Sequence, residues 1–400
     1  MYLFYFFATV LVWLGILSLR RGLRFATYVR REIARPLPDF TPYVSVIAPC
    51  RGVDQGLREN MEALFEQDYP GYEIIFVTDT ADDPSLGVIE DLRRSQADMV
   101  FTRLIIAGRA IDSGQKVHNL RAAVTEVDAR CEVLVFVDTD ARPERNWLRS
   151  LVATLQDESV GAATGYRWFV PGSGGFASHL RSVWNASIAS TLGRKRESNF
   201  CWGGSTAIRR DTFDHLKIRE RWRGTVSDDF TMTKVLGEAG LPIHFVPACL
   251  VASLDRCTFR ELLEFTNRQL KITRVYAPHL WKPVLIGSLL FTVTFFGGIA
   301  LVVCRAVMGR SVGLAVTLLI TIFLLGSAKA FVRFRAVSIP LASYDAYLKR
   351  SLWPHLLVWP LASALYLSNA TASAWSRRIS WRGITYELKS PSEAVIIARE

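Results

Sequence analysis

"VFVDTDARP", residues 135–143, is the stretch whose reading decides the fold. With Val133 and Leu134 before it, it gives five apolar residues in a row, Val133 to Val137, which stop at Asp138. A short, β-branched, apolar run bounded by polar residues reads as a strand buried on both faces, as strands of parallel sheets are. Asp138 and Asp140 then stand one residue apart, with Arg142 and Pro143 close behind. Like charges repel, so either something positive sits between the two carboxylates or the strand end is wet.

Upstream, the same pattern repeats. Residues 43–48, 73–78 and 101–106 read as strands, and 56–67, 86–96 and 117–127 as helices, with Leu57, Met61, Leu64 and Phe65 at helical spacing in the first. Strands alternating with helices predict an α/β sandwich on a mainly parallel sheet. In such sheets ligands bind at the carboxyl ends of strands, where Asp79 and Asp138 both stand. No GxGxxG follows the first strand and no GxxxxGK[ST] occurs, which argues against a dinucleotide fold and a P-loop ATPase. "GSGG" at 172–175 reads as a flexible loop.

An Asp-x-Asp at a strand end can hold a divalent cation, Mg2+ or Mn2+, against a diphosphate, although a solvated turn has the same signature. "SDDFTMTK", 227–234, places two further carboxylates before a helix. Asp228 is either a plain N-cap or a site residue, and Asp229 is available as a general base. "FCWGGSTAIRR", 200–210, sets Trp202 beside Gly203 and Gly204: a close-approach loop for a sugar or lipid head, or a tight turn.

The chain has 400 residues, half of them hydrophobic, and a net charge of +11. A soluble domain combined with a few membrane helices fits that balance, and the basic excess suits membrane flanks and anionic lipid or phosphate. Six cysteines without CxxC spacing signal neither a zinc site nor a disulfide framework. Residues 2–19, 284–304 and 311–328 read as membrane spans, the first as an uncleaved anchor. A fourth apolar stretch, 352–372, contains Pro354, His355 and Pro360 and reads as spanning or, by preference, re-entrant. The arginines after the first span, Arg20 to Arg35, put that side in the cytosol. The expected organisation is an anchor at 1–20, a cytosolic domain at 43–265, an amphipathic interfacial segment at 266–282, a membrane region at 283–376 and a tail at 377–400.

The order of motifs resembles the membrane-bound family 2-type glycosyltransferases, closest to the ceramide glucosyltransferase-like family. The matches are "VSVIAPCRGVD" (44–54), "LFEQDYPGYEIIFVTDTADDP" (64–84), "GQKVHNL" (114–120), "FVDTDARP" (136–143), "GGSTAIRRD" (203–211), "SDDFTMTK" (227–234) and "RQLKI" (268–272). The ending "ISWRGITYEL", 379–388, resembles bacterial members, which points to a bacterial inner membrane. The resemblance implies a GT-A type nucleotide-sugar-binding domain flanked by N- and C-terminal transmembrane helices. It implies inverting transfer from a nucleotide sugar, commonly UDP-glucose, to a lipid hydroxyl such as that of ceramide. By motif, Asp79 binds the nucleotide, Asp138 and Asp140 hold Mn2+ or Mg2+, and Asp229 is the catalytic base. Arg51, Lys116, Asn119, Arg268 and Lys271 fall among the donor-binding positions. Trp202, Gly203, Gly204, Asp228 and Ile272 fall on the sugar or acceptor side. Where the family has Arg-Trp, this chain has Lys271-Ile272, which keeps a charge but loses the bidentate fork and the indole. Alternative readings are a hopanoid or polysaccharide acceptor, or a non-catalytic membrane protein that binds a nucleotide sugar. Neither nucleic acid nor an obligate protein partner is expected.

Overall fold

The computed structural model describes residues 1–172 and 174–399. Ser173, within the expected GSGG loop, and Glu400, the last residue of the expected tail, lie outside the described residues. The chain divides into two units. One comprises Met1–Arg30, Pro171–Ser190 and Arg256–Ser376; the other comprises Arg31–Val170, Thr191–Asp255 and Arg377–Glu400.

The second unit is built on a seven-stranded sheet. Its strands are β1 (Val44–Pro49), β2 (Tyr72–Thr78), β3 (Phe101–Ile106), β4 (Val133–Val137), β5 (Ala162–Phe169), β6 (Ser205–Arg209) and β7 (Ile243–Ser253). The order is β3-β2-β1-β4-β6-β5-β7. β1 runs parallel to both β2 and β4, and β2 to β3. β6 is antiparallel to β4 and β5, and β7 returns parallel to β5. All five residues of β4 are buried, as their unbroken apolar run requires. The four strands expected upstream appear within a residue of their predicted places. The helix expected over 117–127 spans Gln115–Ala123 instead. It starts early because Gly114 is extended at its N-cap. It stops early because the Asp128 amide donates to Glu73 Oε1 at 2.6 Å, which turns the chain back to the sheet edge. Below the sheet Phe136 meets Trp222 edge-on at 5.5 Å and Phe213 at 6.2 Å, all fully buried. Truncating one of these aromatic rings to Ala would cost about 3–5 kcal/mol.

The stretch 377–400 was expected only as a tail; its described residues, up to Arg399, form a second sheet in this unit. β8 (Arg378–Trp381), β9 (Ile384–Ser390) and β10 (Glu393–Arg399) pair antiparallel in the order β10-β9-β8. Ile384, Tyr386 and Leu388 alternate inward along β9, a period-two pattern that was readable in "ITYEL". Arg382 and Gly383, both at positive φ (51° and 72°), make the two-residue turn between β8 and β9.

The first unit is helical. Among the described residues three helices are long and apolar enough to cross a membrane: Tyr2–Ile33, Pro278–Val307 and Gly313–Val337. The first continues well past the expected anchor, since no proline interrupts the chain before Pro36. The fourth apolar stretch is divided at Val358 into Asp345–Leu357 and Trp359–Trp375. This break seats Pro360 in a first helical turn, where its missing N–H costs nothing. Trp359 packs on Phe291 at 5.1 Å, and a Cβ on Gly326 would come within 2.2 Å of its ring. Phe176–Ala189 and Phe259–Tyr276 also fall in this unit, whereas the sequence organisation kept 43–265 together. Thr258 and Glu261 form a reciprocal capping box that starts the second of these helices.

Candidate functional site

Four segments of the second unit converge at the carboxyl edge of its parallel strands. β1 delivers Arg51, β2 delivers Asp79, and β4 delivers Asp138, Thr139 and Asp140. The fourth is the start of the helix Asp228–Glu238. Arg51 Nη1 donates to Asp79 Oδ2 in a short, largely buried pair. Gly52, at φ 67°, gives its amide to Asp83 Oδ1 at 2.9 Å, and Asp83 also accepts from Ser85. The "GVD" and "DDP" motifs are therefore tied together, and Asp83 acts as an anchor of the loop.

Something positive does lie between the two carboxylates. Arg167, projecting from β5, donates from Nη1 to Asp140 Oδ2 at 2.8 Å and from Nη2 to Asp138 Oδ2 at 3.3 Å. Its guanidinium also lies 4.8 Å from the Trp202 ring. On the other side, Lys116 Nζ is 2.7 Å from Asp138 Oδ1 and 3.3 Å from Asp228 Oδ1. Burial opposes both cations' charge, but the surrounding carboxylates outweigh it and hold both above their ordinary range. Burial would raise Asp140, yet Arg167 and then Arg382 pull it below the usual carboxylate value. Asp228 goes the other way: burial, reinforced by Asp229 and Asp138, lifts it to about 6 despite Lys116.

The N-cap of the helix is Ser227, not Asp228. Its extended backbone and its Oγ, which accepts from the Phe230 amide at 3.3 Å, suit it to the cap. Asp228 is thereby the first helical residue and turns inward to Lys116. Asp229 is half-exposed, and its Oδ1 accepts from the Phe230 amide at 2.7 Å and from Ser227 Oγ. Trp202, Gly203 and Gly204 form a tight turn closed by the Ser205 amide on the Trp202 carbonyl at 2.9 Å. That turn is also a close approach. A Cβ on Gly203 would lie 2.2 Å from Asp228 Oδ2 and 2.7 Å from Lys116 Nζ, and one on Gly204 would lie 2.2 Å from the Trp202 ring. The space taken by these glycines' missing side chains belongs to the protein's own ion pair and indole.

Asn119 is buried one turn behind Lys116, where Gln115 Nε2 donates to its Oδ1 at 2.9 Å. Arg268, Lys271 and Ile272 lie on the helix Phe259–Tyr276 of the first unit. There Ile272 is buried, the Arg268 guanidinium lies 5.7 Å from the Phe265 ring, and burial lowers the Lys271 ammonium. The second unit therefore gathers Arg51, Asp79, Lys116, Asp138, Asp140, Trp202, Gly203, Gly204, Asp228 and Asp229. Sequence reading missed Arg167, although a single charge inside the apolar run "AATGYRWF" was a visible signal.

Around this edge five carboxylates (Asp79, Asp138, Asp140, Asp228, Asp229) face three cations (Arg51, Lys116, Arg167), an excess of two negative charges. Among the described residues no three ligating side chains gather around a metal. The pair Asp138–Asp140 does fit a cation that is completed by ligand oxygens or water. Both residues are hard oxygen donors, and Asp140 Oδ1 is buried with no hydrogen-bond partner.

A family model described as glycosyl transferase family 21 matches residues 4–394. Ceramide glucosyltransferase 1 of Caenorhabditis elegans is 20% identical over 275 residues, 67% of this chain and 58% of that protein. Ceramide glucosyltransferase 3 of the same organism is 32% identical over 245 residues, 60% of this chain and 52% of that protein. The chain spans about half the length of the curated relatives it matches. A mannosyltransferase from Pyrobaculum calidifontis, solved with GDP-Man and Mn2+, aligns at a TM-score of 0.50 and 18% identity, covering 92% of this chain and 98% of that one. That likeness, with the mostly parallel mixed sheet, shows the GT-A type fold. A match from residue 4 to residue 394 makes this chain a member of glycosyl transferase family 21.

Proposed function

We propose that the chain is an inverting hexosyltransferase that moves glucose from UDP-glucose to the hydroxyl of a membrane lipid such as ceramide. The observation that carries this reading is the cluster of Lys116 and Arg167 among Asp138, Asp140 and Asp228 at the carboxyl edge of the sheet. A nucleoside diphosphate is a polyanion, and two buried, permanently charged cations are what its leaving group needs. Family membership and the motif order support the assignment of the sugar and the lipid. In this account Asp79, with Arg51, holds the nucleotide. Asp138 and Asp140 would hold a divalent cation, Mn2+ or Mg2+, whose chemistry is neutralisation of the departing diphosphate.

Asp229 is the general base. Its bonds from Ser227 and Phe230 fix its orientation. It takes the proton of the acceptor hydroxyl as that oxygen attacks the anomeric carbon. The bond from that carbon to the diphosphate oxygen breaks on the opposite face, and the electron pair leaves with the diphosphate, whose charge Lys116 and Arg167 meet. Asp228, at about 6 and tied to Lys116, positions that lysine and does not compete as base. Arg268, Lys271 and Ile272 stay in the proposal on their motif alone. The three long apolar helices hold the protein in a membrane, with the arginines of Arg20 to Arg35 and the catalytic unit on the cytosolic side of a bacterial inner membrane.

The test is transfer by the purified full chain in detergent from labelled UDP-glucose, with ceramide, a hopanoid or a polysaccharide primer as acceptor. Labelled glucosylceramide that disappears in EDTA and returns with Mn2+ or Mg2+ supports the reading. Label on another acceptor reassigns the acceptor, and donor binding without transfer or hydrolysis overturns the enzymatic reading.

A further inference from the structure

The C-terminal sheet is fastened to the catalytic unit at three places. Tyr386 Oη accepts from the Gln115 amide at 3.1 Å, one residue before Lys116. Arg399 donates to Gln115 Oε1 at 3.3 Å and to the Ala110 carbonyl. The turn between β9 and β10 covers Gly224, where a Cβ would lie 2.2 Å from the Ser392 carbonyl oxygen. Between these anchors the β8–β9 turn sends Arg382 to the carboxyl ends of β1, β2 and β4. Arg382 Nη2 donates to Asp54 Oδ2 at 2.6 Å, and Nη1 donates to the Arg51 carbonyl at 2.7 Å. The Arg382 carbonyl in turn accepts from Arg51 Nε at 3.0 Å. Arg51 is the residue paired with Asp79, and Asp54 also accepts from Thr139, which stands between Asp138 and Asp140.

A solvated turn would place Asn or Gly at this position. A non-glycine residue at φ 51° is uncommon and persists where the surroundings hold it. Here the surroundings are the edge that carries two negative charges in excess. Among the described residues, Arg382 engages two of its five N–H groups, and its side chain is 32% exposed. It is held in place yet open to a ligand.

We propose that Arg382, delivered by the C-terminal hairpin, is a donor-binding residue that contacts the diphosphate of the nucleotide sugar beside Arg51 and Asp54. The inference rests on the proposed donor and adds that residues 377–399 complete its site. It differs from a merely structural clasp, because a clasp needs Arg382 only for Arg51 and Asp54. A guanidinium that also meets phosphate is worth a charge-assisted hydrogen bond or two, so its loss should weaken diphosphate binding about ten- to a hundredfold.

The experiment compares the full chain in detergent with Arg382→Ala, Arg382→Gln and Arg382→Lys. UDP is titrated by calorimetry and uridine by saturation-transfer NMR. The expected result is UDP affinity lower by about ten- to a hundredfold in the Ala and Gln variants, part of it regained in Lys, with uridine binding unchanged. UDP affinity equal to wild type in both Ala and Gln overturns the inference. So does a parallel loss of UDP and uridine, which would make the hairpin a support for the unit's shape. A wild-type chain that binds no UDP overturns the proposed donor first, and this inference with it.

Discussion

Replacing Lys116 by Met keeps the aliphatic stem and removes the charge that Asp138 and Asp228 share. Two charge-assisted contacts are lost, at 2.7 and 3.3 Å. Each is worth about 1.5–3 kcal/mol when a partner is left behind unpaired. Asp228 has an escape, since it can take a proton. In the wild type it titrates at about 6 in the fold against 3.8 in the unfolded chain. The contribution of Asp228 to wild-type stability therefore falls between pH 3.8 and about 6 and is flat above, whereas in a variant in which Asp228 stays protonated it keeps falling. Between pH 6 and pH 7 the two curves part by about 1.4 kcal/mol. Lys116→Met should thus be destabilised by about 3–4 kcal/mol at pH 7, and by about 1.4 kcal/mol less at pH 5. Thermal unfolding of the chain in detergent, free of metal and nucleotide, reads both values, with a difference of about 3–5 °C between the two pH values for a unit of this size. A loss equal at pH 5 and pH 7, or below about 1 kcal/mol at both, would refute a lysine shared by two carboxylates.

Two further outcomes follow from the same geometry. Gly203→Ala should drive Asp228 and Lys116 apart, costing about 1–3 kcal/mol in thermal unfolding and weakening UDP binding in parallel. Asp228→Asn removes the raised carboxyl, whose contribution is complete below about pH 3.8 and lost as pH rises through about 6. The Asn variant should therefore show a flatter stability profile across that window, and a profile as steep as wild type would remove Asp228 from it.

The parallel half of the sheet was legible because each of its strands is an apolar run closed by polar residues, and β4 with its two aspartates was the plainest. The C-terminal sheet was not read: the alternation in "ITYEL" was there, but only one face of β9 is covered, so it lacks the unbroken apolar run that marks β4. The carboxylates were legible as a group because Asp79 and Asp138 both end parallel strands, which a scattered solvated turn does not require. Their partner Arg167 was not, because pairing it with Asp138 and Asp140 requires knowing that β5 lies beyond β6, two positions from β4. The glycines at 203 and 204 were seen as a close approach, but the group approached is the ion pair of Lys116 with Asp228 and the Trp202 ring. Asp228 was left open between N-cap and site residue, because Ser227 and Asp228 are both good caps. Only the inward pull of Lys116 on Asp228 decides between them.

The central claim is that Asp229 takes the proton of an attacking hydroxyl beside a diphosphate held by Lys116 and Arg167. Asp229→Asn keeps the shape of the side chain and removes the proton acceptor. Glucose transfer from UDP-glucose to ceramide, measured with UDP affinity on the same preparation, should fall about 10²–10⁴-fold while UDP binding stays at the wild-type value. Transfer at the wild-type rate by Asp229→Asn would contradict the account.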